Sequence, residues 1–224
     1  MILASTHKVI INELMWAGSG LNSNDEWIEL YNKEDYLVNL SGWQLTSLVG
    51  SSNKETLMFT IPDGKTISAG SYFLISKFNK DDSIINIEPD LINEKTVLRN
   101  SNFQMKLYKG DWIDINNLVD IADDGSGSPL AGEDKEIKKS MERDDDYGNG
   151  EKKESWHTCF SSANLDSSIT DCATPRVENS KELEPEPKIY SKNIKINELL
   201  PNPKESPEKQ YEYLELYNSG DDAV

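Results

Sequence analysis

Apolar and polar positions alternate along this chain in short runs. In Trp27–Asn32, Ile28 and Leu30 alternate with Glu29 and Tyr31, a period of two that puts one set on each face of a strand. Similar runs predict strands at Trp43–Leu48, Leu57–Ile61, Tyr72–Ser76, Phe103–Tyr108, Trp112–Ile115 and Leu118–Ile121. Turn residues separate them: Pro62-Asp63-Gly64, Ala69-Gly70 and Lys109-Gly110-Asp111. Only Glu133–Met141 reads as weakly helical. Many short strands at this spacing predict an all-β sandwich or barrel.

The pattern also repeats. Ile11-Asn12-Glu13-Leu14 recurs as Ile196-Asn197-Glu198-Leu199, and Trp27-Ile28-Glu29-Leu30-Tyr31-Asn32 recurs as Tyr213-Leu214-Glu215-Leu216-Tyr217-Asn218. The first copy continues through Val38 and Leu40 to Ser41-Gly42-Trp43-Gln44-Leu45, whereas the second stops at Val224, so further linked domains are expected beyond it. Between the copies, Leu183-Glu184-Pro185-Glu186-Pro187 has the spaced prolines and acids of a semi-rigid linker. The expected organisation is an N-terminal extension at 1–7, a sandwich at 8–178, a linker at 179–193 and two strands of a second copy at 194–224. In that second copy Ile194, Ile196, Leu214 and Leu216 are expected on the apolar face of a hairpin, around a loose Pro201–Gln210 loop.

Composition narrows the partners. Forty Asp and Glu against 23 Lys and Arg give a formal charge of -17, which repels phosphate backbones and anionic lipid heads. Nucleic acid is therefore not an expected partner. Nor is direct membrane insertion, because no run of about 18 apolar residues exists. Met1–His7 lacks a basic region followed by an apolar stretch, so a secretory signal is not visible in this chain. Two histidines and two cysteines cannot supply a zinc site with its usual paired ligands, and no cofactor is expected.

The order Ile11-Asn12-Glu13, Trp27 to Asn32, Leu40-Ser41-Gly42-Trp43-Gln44-Leu45, Ser140-Met141-Glu142-Arg143, Trp156 and Thr174-Pro175 through Asn179 resembles the lamin tail domains of bacteria. The resemblance covers nearly all of residues 8–178. It implies an immunoglobulin-like β-sandwich of the lamin-tail type, followed here by a truncated second copy forming a hairpin. Asn12, Glu13, Trp27, Glu29, Asn32, Gly42, Trp43, Glu142 and Arg143 stand at its motif positions, in structural roles. Arg176 and Val177 depart from it, where such domains often carry Gly and a small residue. Domains of this kind serve as binding platforms in nuclear lamins and occur in bacteria on secreted or surface proteins, which implies an extracellular or cell-surface setting. The motifs include no catalytic residues, so none are assigned.

Several residue sets carry candidate chemistry. Glu13 and Glu29, repeated as Glu198 and Glu215, have the makings of the paired carboxylates of a glycosidase, one raised in pKa as acid and one ionised. Their recurrence in both copies favours a structural role, bonding backbone groups or Lys at strand ends. Asp144-Asp145-Asp146-Tyr147-Gly148-Asn149-Gly150-Glu151 is rich in oxygen ligands for calcium but fails the EF-hand register, which leaves a solvated loop as the simpler reading. Trp16, Trp27 and Tyr31 form a possible ligand face, with Trp43 assigned to the core. Cys159 and Cys172 are expected to pair as a disulfide, the alternatives being buried free thiols or a reactive Cys159 beside His157. The leading function is a non-catalytic extracellular interaction or spacer module in a tandem array, with a protein or surface polysaccharide as ligand. The alternative is a carbohydrate-binding or substrate-targeting module attached to a secreted hydrolase.

Overall fold

The structure, a computed structural model, describes residues 9–49, 54–182, 193–201 and 212–220. The 1–7 extension, most of the expected linker and most of the Pro201–Gln210 loop lie outside the described residues. In chain order the strands of the first part are β1 (Val9–Met15), β2 (Trp27–Asn32), β3 (Val38–Asn39), β4 (Gln44–Val49), β5 (Lys54–Thr60), β6 (Thr66–Ile67) and β7 (Tyr72–Ser76). There follow β8 (Leu91–Ile92), β9 (Met105–Tyr108), β10 (Leu118–Ala122), β11 (Glu133–Asp134), β12 (Lys138–Lys139), β13 (Met141–Arg143) and β14 (Trp156–Thr158). The last two are β15 (Ile194–Leu200) and β16 (Tyr213–Asn218). Among the described residues the remaining regular elements are three short 3-10 turns. The protein is all-β.

A six-stranded sheet, β14-β13-β1-β2-β7-β8, packs against a four-stranded sheet, β10-β9-β4-β5, as an immunoglobulin-like sandwich. The core between them holds Ile11, Leu14, Ile28 and Leu30 from one sheet and Leu45, Phe59, Met105 and Leu107 from the other. Trp43 is half-buried at its rim, following Gly42, whose φ of 76° suits glycine in the turn out of Leu40.

A β-bulge decides what the other face of the large sheet presents. The β1–β2 register runs Ile11 opposite Leu30 and then Glu13 opposite Glu29, with Asn12 as the extra residue. In an unbroken strand Glu13 would share the core face with Ile11. The bulge turns Glu13 outward beside Glu29 and returns Leu14 to the core, opposite Ile28. The outward face is nevertheless covered. Met15, Trp27 and Leu74 form a second apolar cluster with Ile84, Ile85 and Ala173, supplied by long irregular segments.

Arg143 bridges the two sheets. It is buried on β13, pairs with Asp120 on β10 and lies 4.3 Å from the ring of Trp156. Asp120 accepts the Ile11 N–H at 2.8 Å and Arg143 Nε donates to the Ile11 carbonyl at 3.3 Å. The pair thus satisfies Ile11 where the β1–β13 ladder, which joins Glu13 to Glu142 and Leu14 to Met141, has ended. A Cβ on Gly150 would lie 2.2 Å from the guanidinium, so this position requires glycine.

Three sequence expectations are corrected. Trp112–Ile115 is a turn rather than a strand, because Asp111 and Asp114 accept the N–H groups of Ile113 and Asn116 and curl the backbone locally. Glu133–Met141 is not helical: the Asp134–Lys138 spacing that suits a helix is here a cross-hairpin ion pair between β11 and β12. The first domain also runs past residue 178, since Asn179 and Ser180 are buried and hydrogen-bonded into it.

The chain divides into two compact units, 1–182 and 183–224. In the second, β15 and β16 pair antiparallel, and the register again shifts at Asn197, setting Glu198 opposite Glu215. The bulge brings Leu199 opposite Leu214 beside the Ile196–Leu216 pair, so Leu199 joins the expected apolar set. These four side chains are more than half exposed.

Truncating Arg143 to Ala should cost about 3–5 kcal/mol, because it strands Asp120 as a buried carboxylate. The shift in urea midpoint measures it. Adding Asp120→Asn should recover part of the loss, since Asn still accepts from Ile11; a loss under 1 kcal/mol, roughly the worth of a surface pair, would contradict the bridging role.

Candidate functional site

The outward face of the large sheet carries three fully buried glutamates on neighbouring strands: Glu13 on β1, Glu29 on β2 and Glu142 on β13. Lying across them is a strap, residues 172–180. Thr174 N–H donates to Glu13 at 2.8 Å, Arg176 N–H to Glu29 at 2.5 Å and Ser180 N–H to Glu142 at 2.8 Å. Asn12, the bulge residue, donates to Glu29 at 3.0 Å and to Asn179 at 2.9 Å, and Asn179 donates back to the Arg143 carbonyl at 2.8 Å. The carboxylates therefore serve an irregular segment that has no ladder of its own.

The strap turns at Thr174–Val177, closed by the Val177 N–H on the Thr174 carbonyl. Pro175 takes the second position and Arg176 the third, with φ of 64°. That is the type II arrangement, which favours glycine in the third place. Arg176 holds it while its side chain pairs with Asp90 at 3.2 Å and donates to the Glu88 carbonyl. The departure from the family pattern thus leaves the turn in place.

Burial sets the protonation of the cluster. It raises Glu13 well above the ordinary carboxyl value, with Glu142 and Glu29 adding to the rise. Burial also pushes Glu29 up to about 8, against the opposing hydrogen bonds from Arg176 and Asn12. The Thr174 hydroxyl lies 3.2 Å from Glu13 and 3.1 Å from Glu142, yet has one proton to give. A proton on Glu13 completes that chain, donating to Thr174 as Thr174 donates to Glu142.

His157 on β14 stands between two carboxylates, its Nε2 3.0 Å from Glu142 and its Nδ1 2.5 Å from Asp144, with Phe160 stacked at 5.3 Å. Burial lowers its pKa, but the hydrogen bonds that the ring donates to both carboxylates outweigh this and raise it. Cys159 and Cys172 form a disulfide with a Cα separation of 5.7 Å, which excludes Cys159 as a free nucleophile in this state. The bond ties the strap to the end of β14.

The expected ligand face is not formed as expected. Trp16 is buried in the inner core with its indole N–H on the Ala131 carbonyl, and Trp27 is fully buried beneath the overlying segments. What covers Trp27 is remote in sequence, so strand alternation could not reveal it. Tyr31 alone of the three reaches the surface, where Tyr72 lies 5.0 Å and Tyr147 5.6 Å from it, with Lys33 5.0 Å from the Tyr147 ring. Tyr72 and Tyr147 were not marked by any sequence signal; Tyr147 adopts a φ of 48°, unusual for an aromatic residue. The acids of its loop diverge: Asp144 meets His157, Asp145 meets Lys181 and Asp146 accepts the Gly148 N–H. Among the described residues no three His, Cys, Asp or Glu side chains gather to hold a metal ion.

Compared with known protein families, residues 3–126 match the family model described as Lamin Tail Domain, more than half of the chain. The match spans β1 to β10; β13, β14 and the strap lie beyond it. No curated protein matches the chain.

Stability should fall as pH rises. Glu29 has a folded pKa of about 8 against an ordinary value near 4.5, so folding takes up a proton between these values. Its contribution is complete below pH ~4.5 and is lost as pH passes about 8; His157, raised above 6.5, acts with the same sign. The urea midpoint should decline from pH 5 to pH 8, and Glu29→Gln should flatten the decline. Parallel curves for the two proteins would refute the assignment. Reducing the disulfide, which joins residues 13 apart, should cost about 3 kcal/mol. Amide exchange should then rise first at Thr174, Arg176 and Ser180, and a uniform rise would show that the bond does not anchor the strap.

Proposed function

Because the chain belongs to the lamin tail domain family, we propose that it is a non-catalytic interaction and spacer module of an extracellular or cell-surface protein, repeated in tandem. One observation carries the reading: β15 and β16 reproduce the pairing of β1 and β2 down to the position of the bulge. A repeated unit lets weak contacts add through avidity. The Cys159–Cys172 bond supports an oxidising compartment. The three glutamates are sealed beneath the strap and hydrogen-bonded to it, which suits a lock and not a substrate cleft. A net charge of -17 argues against nucleic acid as a partner.

The half-exposed stack of Tyr31, Tyr72 and Tyr147 is the surface best suited to recognition, since tyrosines offer large rigid faces at low entropic cost. A polysaccharide ligand, as in a targeting module of a hydrolase, would stack on the same rings.

Two measurements test the reading. Protease shaving of intact source cells should release peptides of this chain with Cys159 and Cys172 oxidised; a purely cytosolic, reduced protein would end it. Immobilised polysaccharide from the same cell surface should retain the protein, and Tyr147→Ala should weaken retention at least tenfold with the melting temperature unchanged. Equal retention of the variant would move recognition away from the tyrosines.

A further inference from the structure

The features that make the outward face of β1 and β2 a seat for the strap occur again in β15 and β16. Asn197 holds the bulge, Glu198 faces Glu215 across the pair, and Asn197 Nδ2 donates to Glu215 as Asn12 does to Glu29. In the first unit these groups are covered: Thr174 meets Glu13 with both its N–H and its hydroxyl, Arg176 N–H meets Glu29, and Asn179 pairs with Asn12. In the second, among the described residues, no backbone amide reaches Glu198 or Glu215. Glu198 accepts from the Tyr213 hydroxyl and Glu215 from Asn197, and both carboxylates are exposed.

We propose that the pair β15 (Ile194–Leu200) and β16 (Tyr213–Asn218) is a receptor for a second strap, supplied in cis by the same polypeptide. The occupant is a Thr-Pro turn followed by Asn. Its Thr would place N–H and hydroxyl on Glu198, the N–H two residues later would meet Glu215, and Asn five residues after the Thr would pair with Asn197. The first unit sets these spacings through Thr174, Arg176 and Asn179. In the first unit seat and strap belong to one chain, with 161 residues between Glu13 and Thr174. An α-helix cannot fill the seat, since beyond its first turn its N–H groups are bonded internally. The strap of the first unit is not free to serve, because Thr174, Asn179 and Ser180 are buried against its own glutamates and Cys172 is bonded to Cys159. The proposal rests on the tandem reading above, but not on cellular location or on the ligand.

The test uses the full chain extended after Val224 by a flexible linker and a second copy of residues 173–181, which puts the strap near its seat at about millimolar effective concentration. Amide exchange in 194–200 and 213–218 should slow at least tenfold relative to the unextended chain. The gain should vanish with Glu198→Ala or Glu215→Ala, exposed positions whose change leaves the first unit intact, and with Ala in place of the Asn of the appended copy. An unchanged exchange rate would overturn the proposal, as would protection indifferent to these substitutions. Protection that grows with protein concentration would replace the cis assignment with exchange between copies. Shaving and polysaccharide retention do not depend on these amides, so failure here is distinguishable from failure of the proposed function.

Discussion

Thr174, Arg176 and Ser180 each give a backbone N–H to a different buried glutamate, and the outer half of the first unit depends on those three bonds. An irregular segment laid on a sheet has no ladder partners, and each orphaned amide would cost about 1–3 kcal/mol. A glutamate on a buried sheet face has the opposite deficit, an acceptor without a donor. Bringing the two together satisfies both. The seal it makes lets Trp27, Met15 and Leu74 bury against Ile84, Ile85 and Ala173 on a face that would otherwise be wet.

The same device recurs wherever a long connection crosses the sandwich. Asp25 accepts from Ile84, Glu26 from Leu98, Asp90 from Leu74, Asp123 from Leu130, and Asp171 from both Gly20 and Lys138. Part of the acidity of the chain, including the buried Glu13, Asp25, Glu26, Glu29, Asp123, Glu142 and Asp171, is therefore internal scaffolding for loops. Burial raises the carboxyl pKa of Asp25, Glu26 and Asp123 as it does for Glu13 and Glu29, which lessens the mutual repulsion of so many acids.

What the sequence revealed was local. Alternation located Trp27–Asn32 and Tyr72–Ser76 at the bounds of β2 and β7, and the two cysteines were rightly read as a pair. A strict period of two hid the bulge at Asn12, and with it the face on which Glu13 lies. Trp27 looked like a candidate for a ligand face because its strand alternates; its cover comes from Ile84, Ile85 and Ala173, far along the chain. Glu142 and His157 were visible singly, but nothing in their spacing announced that β13 and β14 would set them side by side. Backbone groups or Lys were the alternative partners read for Glu13 and Glu29, and the strap amides of Thr174 and Arg176 are the ones that meet them.

The hairpin of the second unit separates local from tertiary causes. It keeps the bulge, the opposed glutamates and the Asn-to-Glu hydrogen bond where, among the described residues, no strap amide bonds its glutamates. The register of Ile-Asn-Glu-Leu against its partner strand is therefore written in those two strands: the asparagine amide holds the neighbouring glutamate, and the bulge returns the next leucine to the apolar side. Burial is not written there. Ile196 and Leu216 are more than half exposed where Ile11 and Leu30 are fully buried. The seat is thus specified before anything sits in it: in the first unit the strap supplies donors for the carboxylates on the outward face, and the four-stranded sheet covers Ile11 and Leu30 on the other, which two strands alone cannot do.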